Sequence, residues 1–297
     1  MSGLVECVPN VSEGRRPDVV RGLADVVSAV PGIRLLDLTS DADHNRSVIT
    51  FAGDAEAVES AALALVAAAY GAIDMRTHIG EHPRLGAVDV VPFVPLSGST
   101  MEDCVAIAKR VGGAVAKAHD VPVYYYAKAA TRPERVRLPD IRKPQYEGLQ
   151  ALMDTTHGPD DGPARVHPTA GAIVVGARPP LIAFNIELDT ADVKLAKRIA
   201  KEIRESSGGL TAVQAMGFEL TDPVRAQVSM NLLDHSVTSL ATVWREVEAR
   251  ANAAGVKVLR GELIGLAPLD AMLDVARESL RLDGLVRTQI IEGHFIR

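Results

Sequence analysis

Two hydrophobic periods alternate along the first half of the chain, and that alternation limits the fold more than any other feature. Leu4–Val8, Ile33–Leu38, Ser47–Ala52 and Val88–Val94 are short apolar runs of strand length. Between them, Pro17–Val30 carries apolar residues at helical spacing, with Pro17 in the first turn, where its fixed φ costs nothing. A second helix is expected from Asp54 to Tyr70, because the Asp54 carboxylate can accept from free first-turn N–H groups. The order is β-α-β-β-α-β, the split-βαβ pattern. A helix over Thr100–Ala118 and a strand at Val121–Tyr126 extend it.

Regularity falls from Ala127 to Ala170, where Pro, Gly, Asp and Arg accumulate around one short helix near Gln145–Met153. A loop region this long is a binding element or a linker, and the domain junction is placed at its end. The second half repeats the theme. Strands are expected at Gly171–Val175, Leu181–Leu188, Leu210–Phe218, Ala226–Leu233 and Val256–Glu262. Helices are expected from Thr190 or Asp192 to Ser207, and over Val237–Ala253 and Leu269–Leu280. The expected fold is α/β of the α+β type. It has two split-βαβ-like subdomains, 1–170 and 171–297, with mixed sheets covered by helices. A cleft between two such units is a common place for a small ligand.

Composition narrows the function classes. A net charge of −6 lacks the basic footprint of a nucleic-acid binder. Only Cys7 and Cys104 are available, too few for a disulfide scaffold, and both read as core residues in a reducing compartment. The first residues lack the basic and apolar regions of a signal peptide. The longest apolar stretch, near Ala61–Tyr70, is about half a membrane span. A soluble cytoplasmic protein with no membrane or nucleic-acid partner is expected.

The densest chemistry is Thr77-His78-Ile79-Gly80-Glu81-His82-Pro83-Arg84-Leu85-Gly86, directly before the apolar run Ala87–Pro95. Loops that bring proton-transfer groups to the mouth of a strand are where α/β enzymes work. Pro83 pushes residue 82 toward extended backbone. His78 and His82 are four apart, as two metal ligands on a helix would be, but Gly80 and Pro83 oppose a helix. No metal site is therefore expected. His78 reads as a structural loop histidine. His82, crowded by Glu81 and Arg84, reads as an acid–base group, since an ordinary imidazole titrates at about pH 6.5.

Other polar segments leave alternatives open. Pro9–Gly14 holds Asn10, Ser12 and Glu13 between the first strand and first helix; Ser12 as helix cap and ligand contact weigh equally. Asp41-Ala42-Asp43-His44-Asn45-Arg46 is a solvated turn or a substrate-facing one. Gly162-Pro163-Ala164-Arg165-Val166-His167-Pro168-Thr169-Ala170-Gly171 is a linker or a ligand loop. Asn185 interrupts a buried-strand pattern and needs a partner, backbone or ligand, since an unpaired buried amide costs roughly 1–3 kcal/mol.

Together these segments resemble the glutamate formimidoyltransferase family. The resemblance is carried by Val5–Gly14, by Leu35-Leu36-Asp37 with Asn45-Arg46-Ser47, and by Gly80–Val90. It continues through Gly176-Ala177-Arg178 with Leu181–Leu188, and Gln227–Asp234. It implies two α/β subdomains flanking a folate-binding tunnel, a homodimer, and a free-standing bacterial-type enzyme without a cyclodeaminase domain. It implies transfer of the formimidoyl group of N-formimidoyl-L-glutamate to N5 of tetrahydrofolate in histidine degradation, with tetrahydrofolate as co-substrate and no metal. By the same resemblance His82 is the catalytic histidine and Gly162–Gly171 the folate loop. Asn10, Glu13, Asp41, Asn45, Arg46, Glu81, Arg84 and Asn185 are candidates for substrate binding or support. Arg46, Arg84 and Arg165 are candidate carboxylate ligands. Where animal members carry an acidic residue, this chain has Thr39, and Asp41 or Asp43 is the expected substitute. The alternatives are a 5-formyltetrahydrofolate–glutamate formyltransferase and a non-catalytic folate-binding protein.

Overall fold

The computed structural model describes residues 3–291. The chain divides into two compact units, Met1–Arg178 and Pro179–Arg297.

The first unit runs β1 (Leu4–Cys7), β2 (Asn10–Val11), α1 (Pro17–Ser28), β3 (Arg34–Asp41), β4 (Arg46–Asp54), α2 (Ala55–Ala72), β5 (Val88–Pro95), α3 (Met101–His119), β6 (Val123–Ala127), α4 (Leu138–Arg142), α5 (Gln145–Leu149) and β7 (Ile173–Ala177). Its seven strands form one mixed sheet. β3 lies on β4, β1 and β2 both lie between β4 and β5, and β7 is inserted between β5 and β6. β5, β7 and β6 are parallel; the remaining pairs are antiparallel. β7 is thus part of the first sheet. The unit ends at Arg178 and not at the expected 170, because a strand paired on both sides cannot belong to the next unit.

The Asp54 carboxylate caps α2, accepting from Ala57 N at 2.9 Å. By length and composition α2 could cross a membrane. Here Val58, Leu65 and Val66 are buried against Phe51, Phe93 and Ile107 in the core under α1, α2 and α3. The sheet's other face is covered only in part. Ile141 of α4 and Leu149 of α5 pack on Val90, Tyr124, Tyr126 and Val174. That small second core is what carries the irregular region, and Arg142 with it, to the sheet.

The second unit comprises β8 (Ile182–Leu188), α6 (Val193–Ile203), β9 (Val213–Thr221), β10 (Val224–Leu232), α7 (Leu240–Ala253), β11 (Val258–Ile264) and α8 (Leu269–Leu280). Its sheet, ordered β11-β8-β10-β9, is antiparallel throughout, whereas a mixed one was expected. Ile186, Val228, Ile199 and Val247 share its core.

Candidate active site

Four chain segments of the first unit converge at the end of its sheet. The turn after β2 is fixed to the residues before β5: Ser12 N donates to Ala87 O (2.9 Å) and Ser12 Oγ to Gly86 O (2.7 Å). Ser12 therefore caps no helix. The β3–β4 hairpin tip is fixed to the same turn and to the His82 loop by one side chain. Asn45 Oδ1 accepts from Gly14 N (2.9 Å), and its Nδ2 donates to Ile79 O (2.9 Å). Glu81 N adds a bond to Asp43 O (3.3 Å). The segment 162–171 docks on the other side, through Ala87 N to Ala170 O (2.9 Å) and Met75 N to Thr169 O (2.8 Å). Residues on either side of the histidine loop, Met75 and Ala87, are thus hydrogen-bonded to the 162–171 loop.

The 162–171 loop is itself well organised. His167 and Gly171 exchange backbone bonds of 3.1 and 2.8 Å. His167 Nδ1 accepts from Ala170 N (3.0 Å), and Tyr146 Oη donates to Pro168 O (2.6 Å). Gly171 has φ +75°, and a Cβ there would lie 2.3 Å from Leu85 O, so no other residue fits.

His82 lies within this frame, half-buried. Its Nε2 is 3.2 Å from Arg46 Nη1. A guanidinium has no acceptor, so Arg46 donates and the neutral ring carries its proton on Nδ1. Burial, then the charges of Arg142 and Arg46, with smaller effects from His44 and Arg84, hold the imidazole down to about 3. The expectation of a ring poised near neutrality is therefore corrected for the resting site. Its surroundings are cationic, and a second positive charge is unwelcome there.

The sequence reading did not single out Arg142 or Asp89. Val11 pairs with Val88 and Asn10 with Val90, so Asp89 is the extra residue of a β-bulge. It is 1% exposed; its Oδ1 accepts from Leu85 N (2.8 Å) and its Oδ2 is ion-paired with Arg142. The available signal was a carboxylate inside the apolar run Ala87–Val94, which requires a buried partner.

Of the carboxylates expected to support His82, Asp41 is engaged with His44 instead. Asp41 Oδ2 is 2.9 Å from His44 Nδ1, and its Oδ1 accepts from His44 N (2.8 Å). His44 in turn stands edge-on to His82, with ring centroids 6.5 Å apart. Among the described residues, no carboxylate is hydrogen-bonded to the His82 ring.

Several other candidates prove to be structural. Arg84, 5% exposed, grips Glu147 through both terminal nitrogens (2.9 and 2.7 Å), leaving no free fork for a substrate. His78 sits between Arg84 Nε (3.2 Å) and Asn45 O (3.0 Å). Asn10 Nδ2 donates to Val8 O (3.1 Å), and Glu13 Oε1 accepts from the Arg15 and Arg16 amides (2.8 and 2.9 Å). Arg165 is ion-paired with Asp120 on the surface. Asn185 belongs to the second unit and donates to the Glu262 Oε2 carboxylate oxygen (3.1 Å). Arg46 is different. It is in no ion pair among the described residues, and its Nε is buried without an acceptor, as is Arg142 Nε.

Comparison with known proteins places these units. Residues 4–178 match the formiminotransferase domain, N-terminal subdomain, and residues 183–294 the formiminotransferase domain. The chain belongs to the formiminotransferase family. This family member is 44% identical, over the full length of both chains, to a Streptococcus pyogenes protein named glutamate formimidoyltransferase. A Thermoplasma acidophilum protein of the same name is 44% identical over 97% of this chain and 96% of its own. The rat formimidoyltransferase-cyclodeaminase is 45% identical over 93% of this chain, which covers 52% of the rat protein.

Proposed function

We propose that this chain transfers the formimidoyl group of N-formimidoyl-L-glutamate to N5 of tetrahydrofolate, with His82 carrying the proton. The observation behind the reading is a neutral imidazole held by Arg46, on a loop whose flanking residues Met75 and Ala87 are hydrogen-bonded to the 162–171 segment, in a chain whose full-length relatives bear the name glutamate formimidoyltransferase. N5 attacks the formimidoyl carbon and a tetrahedral intermediate forms. The N5 proton leaves, the carbon–nitrogen bond to glutamate breaks, and the glutamate nitrogen gains a proton. One imidazole can accept the first proton and return it as the second, a role worth roughly 10²–10⁴ in rate.

In this reading the 162–171 loop binds folate, and Gly171 keeps it against the histidine loop. The test is a transfer assay with N-formimidoyl-L-glutamate and tetrahydrofolate, run beside one with 5-formyltetrahydrofolate and L-glutamate. Rapid turnover of the first pair supports the reading. Turnover of the second alone replaces it with formyl transfer, and folate binding without turnover of either replaces it with a binding protein.

A further inference from the structure

We propose that Arg46 and Arg142 form the binding site for a carboxylate of the donor substrate, and that its arrival draws Arg46 away from His82 Nε2 and frees that nitrogen to take a proton. The inference rests on the reading of His82 as proton carrier and adds what switches it on.

Three observations carry it. The lone pair of His82 Nε2 is occupied at rest by the Arg46 N–H (3.2 Å), so it cannot accept a proton from N5 until Arg46 moves. Among the described residues, Arg46 is the guanidinium of this cluster that is in no direct ion pair, though Asp89 and Asp41 lie near enough to act on it. Asp89 is committed to Arg142 and Leu85 N, Glu147 to Arg84, and Asp41 to His44. Finally, both Arg46 and Arg142 hold a buried Nε–H with no acceptor. A guanidinium closed off from water and incompletely bonded is poorly anchored, and an incoming acceptor can reorient it. Its planar fork matches a carboxylate.

The electrostatic consequence has a definite sign. Arg142, Arg46, His44 and Arg84 all oppose protonation of His82, while the carboxylates Asp89 and Asp41 of the same cluster are paired with Arg142 and His44. A bound carboxylate adds negative charge and pulls Arg46 off the ring, so the imidazole's affinity for protons rises. The base becomes competent when the donor is in place.

The test follows the His82 ring nitrogens by NMR in the full chain labelled with ¹⁵N-histidine, assigned by comparison with His82→Gln. The probe is glutarate, with uncharged glutaramide as control. At pH 7, where glutarate is fully ionised, saturating glutarate is expected to shift the His82 Nε2 resonance as the Arg46 bond is lost, and glutaramide to leave it unmoved. Arg46→Met is expected to weaken glutarate by about tenfold or more and to abolish the shift. Arg46→Lys keeps the charge without the fork, and is expected to retain the shift at lower affinity. No glutarate binding at millimolar concentration at pH 7, or a His82 Nε2 resonance unmoved at saturation, overturns the proposal. So does Arg46→Met binding glutarate like wild type. Turnover with formimidoylglutamate is read separately: transfer without the glutarate shift removes the switch alone, and the shift without transfer removes the function alone.

Discussion

Arg46 Nη1 stands 3.2 Å from His82 Nε2 and donates to it. The bond fixes the ring as the Nδ1–H tautomer, while burial and then the charges of Arg142 and Arg46 hold its basicity down. A histidine placed this way is a proton acceptor only in the company of an anion.

Stability should record the same electrostatics. The His82 pKa of about 3 in the folded chain lies below the ordinary value near 6.5. The unfolded state therefore binds the extra proton first. His82 costs nothing above pH 6.5, and the folded state loses stability as pH falls from 6.5 toward 3. The slope from this site is at most about 1.4 kcal/mol per pH unit. Denaturant unfolding across pH 4–7 should show a shallower acid loss in His82→Gln than in wild type; parallel curves would contradict the depressed pKa.

Asp89→Asn should be among the most damaging conservative changes. It leaves Arg142 charged, largely buried and without its counter-ion. Breaking a buried pair from one side costs about 3–5 kcal/mol. Arg142→Met combined with Asp89→Asn should be less unstable than the sum of the two single variants, as expected for residues that share one interaction. Additive losses in a double-mutant cycle would show that the two side chains act independently.

Glu147→Ala should act through Arg84. It strips a bidentate carboxylate from a guanidinium that is 5% exposed and also holds His78. A loss of about 1–3 kcal/mol is expected, seen as a Tm lowered by several degrees. An unchanged Tm would mean that solvent replaces Glu147 at no cost.

Gly171→Ala separates the 162–171 loop from the histidine loop. The positive φ alone costs about 1–3 kcal/mol, and the new Cβ meets the Leu85 carbonyl at 2.3 Å. Folate affinity, measured by fluorescence titration, should fall more than that of the amino-acid donor. Equal weakening of both would point to general misfolding.

Much of the first unit was legible because its periods are clean. Asp54 caps the helix it is expected to cap, and in the second unit α8 has the expected bounds Leu269–Leu280. β7 was assigned to the wrong unit, because a buried parallel strand reads the same whichever sheet receives it. His82 stood out through the density of polar residues around it. Arg142 did not, since it lies in an irregular stretch and only the packing of Ile141 and Leu149 brings it to Asp89. Arg84 and Asn185 carried the right chemistry for ligand contacts, but neighbours distant in sequence had already satisfied them.

The most direct measurement is the turnover of His82→Ala with N-formimidoyl-L-glutamate and tetrahydrofolate at saturating concentrations. A proton carrier predicts a fall in kcat of about 10²–10⁴, with KM for both substrates nearly unchanged. A kcat within a few-fold of wild type would contradict the role assigned to His82.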